Sequence, residues 1–168
     1  HTRPSNPCAI AMHSVLSAIR SLVTAQGKVL ACDIQSTVTV FPPNVEFHQE
    51  DVFRRSEAFE RQLAERGPFH VVMSDMAPQT TGTKFTDQAR SLELCLEALA
   101  VAEKYLVKGG SFVVKIFMGP DAGELLKGMR PRFARVTSFK PQSSRVESKE
   151  TFFVGLGFKG KEADGARD

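Results

Sequence analysis

The chain is short of cysteine, of histidine pairs and of long apolar runs, and each shortage excludes a class of protein. Its 168 residues include three cysteines, widely spaced and without a CxxC pair, so neither a zinc ribbon nor a disulfide framework is indicated. The four histidines show no metal-ligand spacing. No apolar run approaches the roughly 18 residues of a membrane span. We therefore expect a cytoplasmic protein in a reduced compartment, with no metal and no membrane attachment.

Length and composition predict one folded domain. Hydrophobic residues make up 42% of the chain, enough for a real core, and we find no internal repeat. We expect a single domain over residues 1–160, a disordered charged tail over residues 161–168 and a monomeric protein. The formal net charge of +3 permits an anionic partner without requiring one.

Hydrophobic periodicity predicts alternating helices and strands. Helices are predicted over residues 9–24, 56–66, 86–107 and 121–129, and strands over residues 28–32, 45–48, 71–73, 111–117, 134–139 and 150–158. This alternation predicts an α/β fold with a parallel sheet between two layers of helices. The last two strands have no helix between them, so we expect them to pair antiparallel.

Three aspartates follow successive predicted strands. Asp33, Asp51 and Asp75 each stand where a strand ends, and ligands of open α/β sheets bind outside these carboxyl ends. In nucleotide-binding sheets the acid after the second strand typically takes ribose hydroxyls, and Asp51 beside it could reach the base. The alternative is that each aspartate only caps a turn. The pattern favours a shared ligand site along one edge of the sheet.

A lysine lies inside the apolar run VVKIF. Burying the Lys115 ammonium costs several kcal/mol unless it is paired. Either its side chain extends out to water, or it is held by Asp75 and Glu150, which the topology brings to the same sheet. Desolvation would favour the neutral amine, a possible base, whereas neighbouring carboxylates favour the charged form.

Three segments carry a family resemblance. SDMAP, GGSFVVKIF and KPQSSRVESKETFFVGLG resemble the FtsJ-type RNA ribose 2′-O-methyltransferases, and in particular the bacterial members that modify a uridine of large-subunit ribosomal RNA. The resemblance implies a Rossmann-like fold of seven strands that binds S-adenosylmethionine, with ribosomal RNA or the large ribosomal subunit as partner. In the family's Lys-Asp-Lys-Glu tetrad, Asp75, Lys115 and Glu150 match the last three members. The cofactor-binding acids correspond to Asp33, Asp51 and Asp75.

The start of the chain departs from the family pattern. The N-terminal helix with the tetrad's first lysine, the first strand and the DxGxxPGxW loop have no counterpart before Lys28. We therefore expect the first strand and the glycine-rich loop to be absent from the given residues, so that the strand either lies upstream of His1, which we favour, or has been replaced.

Two other functions stay open beside methyl transfer. A truncated or inactive relative could bind RNA or the ribosome through a late cluster of basic residues, which could equally form a solvated face: Arg130, Arg132, Arg135, Lys140, Arg145 and Lys149. A dinucleotide-dependent enzyme is less well supported, because no GxGxxG motif leads from a strand into a helix.

Overall fold

A seven-stranded sheet organises the part of the chain that the structure describes. The computed structural model describes residues 8–12, 27–140 and 150–161. The strands are β1 (Cys8–Met12), β2 (Lys28–Asp33), β3 (Val45–Gln49), β4 (Phe69–Ser74), β5 (Leu106–Phe117), β6 (Phe133–Phe139) and β7 (Glu150–Phe158). The helices are α1 (Glu57–Arg66), α2 (Lys84–Tyr105) and α3 (Ala122–Met129).

The strand order is β3-β2-β1-β4-β5-β7-β6. The strands from β3 to β5 pair in parallel, whereas β7 runs antiparallel to both β5 and β6. The predicted α/β class, with a mostly parallel sheet and an antiparallel C-terminal strand, is therefore confirmed.

The first strand is present, so the prediction that it is missing was wrong. Strand β1 lies between β2 and β4, with Ala9 opposite both Val29 and Val71. The predicted helix over residues 9–24 is also wrong for residues 9–12, and its remainder lies outside the described residues. A five-residue apolar run cannot be assigned to helix or strand by periodicity alone. Pairing decides the outcome here, because β2 and β4 would otherwise leave buried backbone groups without partners.

The three described helices pack on one face of the sheet. Phe59 of α1 and Ala98 of α2 join Phe112 and Ile116 of β5 in the main core. A smaller cluster around Ala11, with Val29 and Met73, lies on the central strands. The predicted second layer of helices stays a prediction. Among the described residues, no helix is long and apolar enough to cross a membrane.

Most element boundaries fall within two residues of those predicted, with one exception. The strand predicted to start at residue 111 begins at Leu106 instead, directly after α2 ends at Tyr105, so that Lys108-Gly109-Gly110 lies inside β5. Gly109 has φ of 85°, a left-handed conformation that favours glycine. Gly109 therefore allows the irregular backbone near the start of β5 and does not cap α2. Of the predicted tail, residues 162–168 lie outside the described part of the chain.

Candidate active site and ligand cleft

Two of the three predicted aspartates line one cleft. Asp33 ends β2 and Asp51 follows β3, and the parallel strands bring both to the same edge of the sheet. The cleft has a volume of about 250 Å³ and is lined by these two residues with Cys32, Ile34, Gln35, Glu50, Val52, Phe53, Met76, Ala77, Gln79 and Leu94. Asp75 is not among the lining residues, but Met76 and Ala77, which follow it, are.

Local hydrogen bonds orient the cleft carboxylates. Asp33 Oδ1 accepts from the Gln35 amide at 2.9 Å, and Asp51 Oδ1 accepts from the Phe53 amide at 2.9 Å. Each aspartate thus caps its own turn, as the alternative interpretation held, and yet lines the cleft. The turns pre-set the carboxylates, which lowers the cost of ordering them when a ligand binds.

Glu50 also lines the cleft and was not predicted to do so. It directly precedes Asp51 at the end of β3, and its Oε1 accepts a hydrogen bond from Ser56 Oγ at 2.5 Å. The electrostatic effect of the cleft is visible at Cys32: burial, then the charges of Asp33 and Glu50, raise the pKa of its thiol to about 12. The carboxylates of Asp33, Glu50 and Asp51 at this end of the cleft favour cationic or hydroxyl-bearing ligands.

The predicted lysine cluster is confirmed as a geometric arrangement. Lys115 Nζ lies 2.8 Å from Asp75 Oδ1 and 3.6 Å from Glu150 Oε1. The Lys115 side chain is only 11% exposed, so it is paired inside the site rather than extended into water. Three strands contribute: Asp75 follows β4, Lys115 lies in β5, and Glu150 begins β7. The individual roles of these residues stay predictions.

Helix α2 fixes the backbone beneath this cluster. Cys95 Sγ donates to the Lys115 carbonyl at 3.1 Å, and Ser91 Oγ accepts from the Phe117 amide at 2.9 Å. Gln88 Nε2 donates to the Met118 carbonyl at 2.7 Å. Their spacing of three and four residues places the three side chains on one helix face, which was the available sequence signal. Their targets depend on how α2 packs on β5, so sequence reasoning missed these contacts.

At least one of the late basic residues is already paired within the protein and is not available to bind RNA. Arg132 forms an ion pair with Glu103, and its Nη1 donates to the Gly128 carbonyl at 2.6 Å. Arg130, Arg135 and Lys140 are exposed, whereas Arg145 and Lys149 lie outside the described residues. The RNA-binding role of the group stays a prediction.

The strand order with its reversed seventh strand defines the class as a Rossmann-like α/β fold. A Plasmodium falciparum protein provisionally assigned as a ribosomal RNA methyltransferase superposes with a TM-score of 0.74 at 21% identity, covering 93% of this chain and 88% of that one. Human methyltransferase-like protein 13, solved in complex with SAH, superposes with a TM-score of 0.59 at 13% identity, covering 96% and 75%. At such low sequence identity, the structural similarity shows the fold alone.

Sequence comparison narrows the class to one family. Residues 11–158 match the family model of the FtsJ-like methyltransferases, and the chain belongs to that family. A relative from Nitratidesulfovibrio vulgaris, named ribosomal RNA large subunit methyltransferase E, is 70% identical over 146 residues, which is 87% of this chain and 71% of the relative. A relative of the same name from Bdellovibrio bacteriovorus is 49% identical over 137 residues, covering 80% and 68%. The family resemblance found in the sequence is confirmed.

Proposed function

We propose that this protein methylates the 2′-hydroxyl of a uridine in large-subunit ribosomal RNA, with S-adenosylmethionine as the methyl donor. The observation that carries the proposal is the mostly buried Lys115, held by Asp75 and Glu150 beside a carboxylate-lined cleft. The names of the close relatives support the RNA substrate. We extend the proposal to a cytoplasmic, metal-independent monomer, as the sequence led us to expect.

The cleft fits the proposed cofactor. Asp33 would accept hydrogen bonds from the ribose hydroxyls, and Asp51 would lie near the adenine. Ile34, Phe53 and Leu94 supply apolar surface for a flat base. The bound cofactor supplies an electrophilic methyl group on a positively charged sulfur. The acidic residues of the cleft, with Asp75 at its border, favour that charge.

The lysine cluster would act on the RNA hydroxyl. We assign Lys115 Nζ as the group that takes up the proton lost by the 2′-hydroxyl, which makes the oxygen a better nucleophile. Asp75 and Glu150 would hold the amino group in place and stabilise the ammonium that forms.

Methyl transfer from labelled cofactor to unmodified large-subunit ribosomal RNA tests the proposal. The product should contain an alkali-resistant linkage, because a 2′-O-methyl group blocks attack on the neighbouring phosphodiester. Lys115→Ala should lower turnover by about 10²–10⁴-fold while cofactor binding stays near normal. Lys115→Arg, which keeps the charge but cannot act as a base, should be similarly impaired.

Lys127→Ala is the matched control. Lys127 also pairs with a carboxylate at 2.7 Å, but on the exposed surface of α3, so its loss should leave turnover unchanged. Methylation on a base would contradict the proposal, as would wild-type turnover by Lys115→Ala. RNA binding without any methyl transfer would favour the alternative of an inactive RNA-binding relative.

A further inference from the structure

Three side chains form a row across the antiparallel part of the sheet. Lys115 of β5 lies directly opposite Phe152 of β7, and Phe152 lies directly opposite Phe139 of β6. Residues directly opposite each other in antiparallel strands place their side chains on the same face. The rings of Phe139 and Phe152 are stacked, with centroids 5.3 Å apart and planes inclined by 13°. The side chain of Lys115 and the two aromatic rings therefore lie next to one another on one face of the sheet.

The outer ring of this row is open. Phe139 is 51% exposed, and β6 is an edge strand of the sheet formed by the described residues. Cross-strand stacking explains why the two rings face each other, but it does not require that half of a large apolar side chain remain in water. Arg135, also exposed, lies four residues earlier on the same face of β6. The exposed ring of Phe139 and the positively charged Arg135 side chain therefore belong to one surface.

We propose that Phe139 and Phe152 form an aromatic shelf that stacks a base flanking the target nucleotide of single-stranded RNA. The inference rests on the proposed function, which places the target ribose at Lys115. Phe139 is two strands away from Lys115, about 10 Å at ordinary strand spacing. That separation places the open ring beyond the target nucleotide itself, at the position of a neighbouring base.

The chemistry of the surface selects RNA over other partners. Aromatic rings stack any nucleobase through its π-face, and nearby cations meet the phosphates, a combination typical of single-strand binding. The shelf is also continuous with the lysine cluster, so a strand bound at the active site would pass over it. Two rings are too small an apolar surface for a stable protein interface, which buries about 800 Å² on each partner.

Equilibrium binding of a fluorescently labelled single-stranded RNA, measured by anisotropy, tests the shelf. Phe139→Ala should weaken binding by about tenfold, within the 5- to 150-fold range expected for loss of one base-stacking contact. Phe139→Leu should weaken it similarly because it keeps apolar bulk without a flat ring, whereas Phe139→Tyr should retain affinity. The salt dependence should not change, since no phosphate contact is lost.

Leu96→Ala provides a matched control. Leu96 is a partly exposed apolar residue of α2, which packs on the opposite face of the sheet from Lys115 and Phe139, so its truncation should leave RNA affinity unchanged. Wild-type affinity in either the alanine or the leucine variant of Phe139 would overturn the shelf. If the wild-type protein methylates RNA while these variants bind RNA normally, the base-stacking role of Phe139 is refuted and the proposed function is not. Absence of methyl transfer by the wild-type protein would instead contradict the proposed function.

Discussion

The two carboxylates that hold Lys115 should differ in their importance for turnover. Asp75 lies 2.8 Å from the lysine Nζ, within charge-assisted hydrogen-bond distance, whereas Glu150 lies at 3.6 Å and is 42% exposed. A hydrogen bond to a charged group contributes about 1.5–3 kcal/mol, so Asp75→Asn should slow methyl transfer by roughly 10- to 150-fold. A solvent-screened pair contributes about 0–1 kcal/mol, so Glu150→Gln should cost about fivefold or less.

Single-turnover methyl transfer with saturating cofactor and RNA measures this difference, because binding and product release then do not limit the rate. Calorimetric titration of the cofactor should accompany it, since Asp75 borders the cleft. In the double variant the losses should be less than multiplicative, because both carboxylates act through one amino group. A larger defect for Glu150→Gln than for Asp75→Asn would refute the argument from distance and exposure.

Three further outcomes follow from other contacts. A hydrogen bond from Tyr105 lowers the pKa of Glu60 from 4.5 to about 2. The ionised Glu60 therefore stabilises the fold above pH 4.5, and this stabilisation is lost as the pH falls towards 2. Glu60→Gln should flatten the pH dependence of the free energy of unfolding, measured by urea titration across this range. Ser91→Ala leaves the Phe117 amide without its partner, and the free energy of unfolding should fall by about 1–3 kcal/mol; a loss below about 0.5 kcal/mol would contradict this. If Arg145 meets a phosphate, reversing its charge should flatten the slope of log K against log salt by about 0.7, whereas an unchanged slope would locate the RNA surface elsewhere.

The parts of the fold that local pattern determines were predictable. Lys115 was conspicuous because it interrupts the apolar run VVKIF, and in the structure the even-numbered residues from 112 to 116 of β5 are buried while the odd ones are only partly so. The aspartates at successive strand ends likewise needed no tertiary information, because parallel strands always present their carboxyl ends at one edge. The same logic predicted that Asp75, Lys115 and Glu150 converge.

The missed features depend on packing between distant segments. The residues of β1 became a strand because β2 and β4 need a partner between them, a requirement that CAIAM alone does not express. The hydrogen bond from Cys95 to the Lys115 carbonyl requires the exact position of α2 on the sheet. The cleft's apolar lining comes from separate segments and has no shared motif.

The reversed direction of β7 is what completes the lysine cluster. Asp75 follows the last residue of β4, so it lies at the carboxyl edge of the parallel strands. A parallel seventh strand would bring its last residue to that edge and carry its first residue to the opposite one. Because β7 is antiparallel, its first residue, Glu150, lies opposite Phe117 at the carboxyl end of β5, within reach of Lys115. The same reversal aligns Phe152 with Lys115, so one change of strand direction places both the second carboxylate and the aromatic shelf beside the lysine.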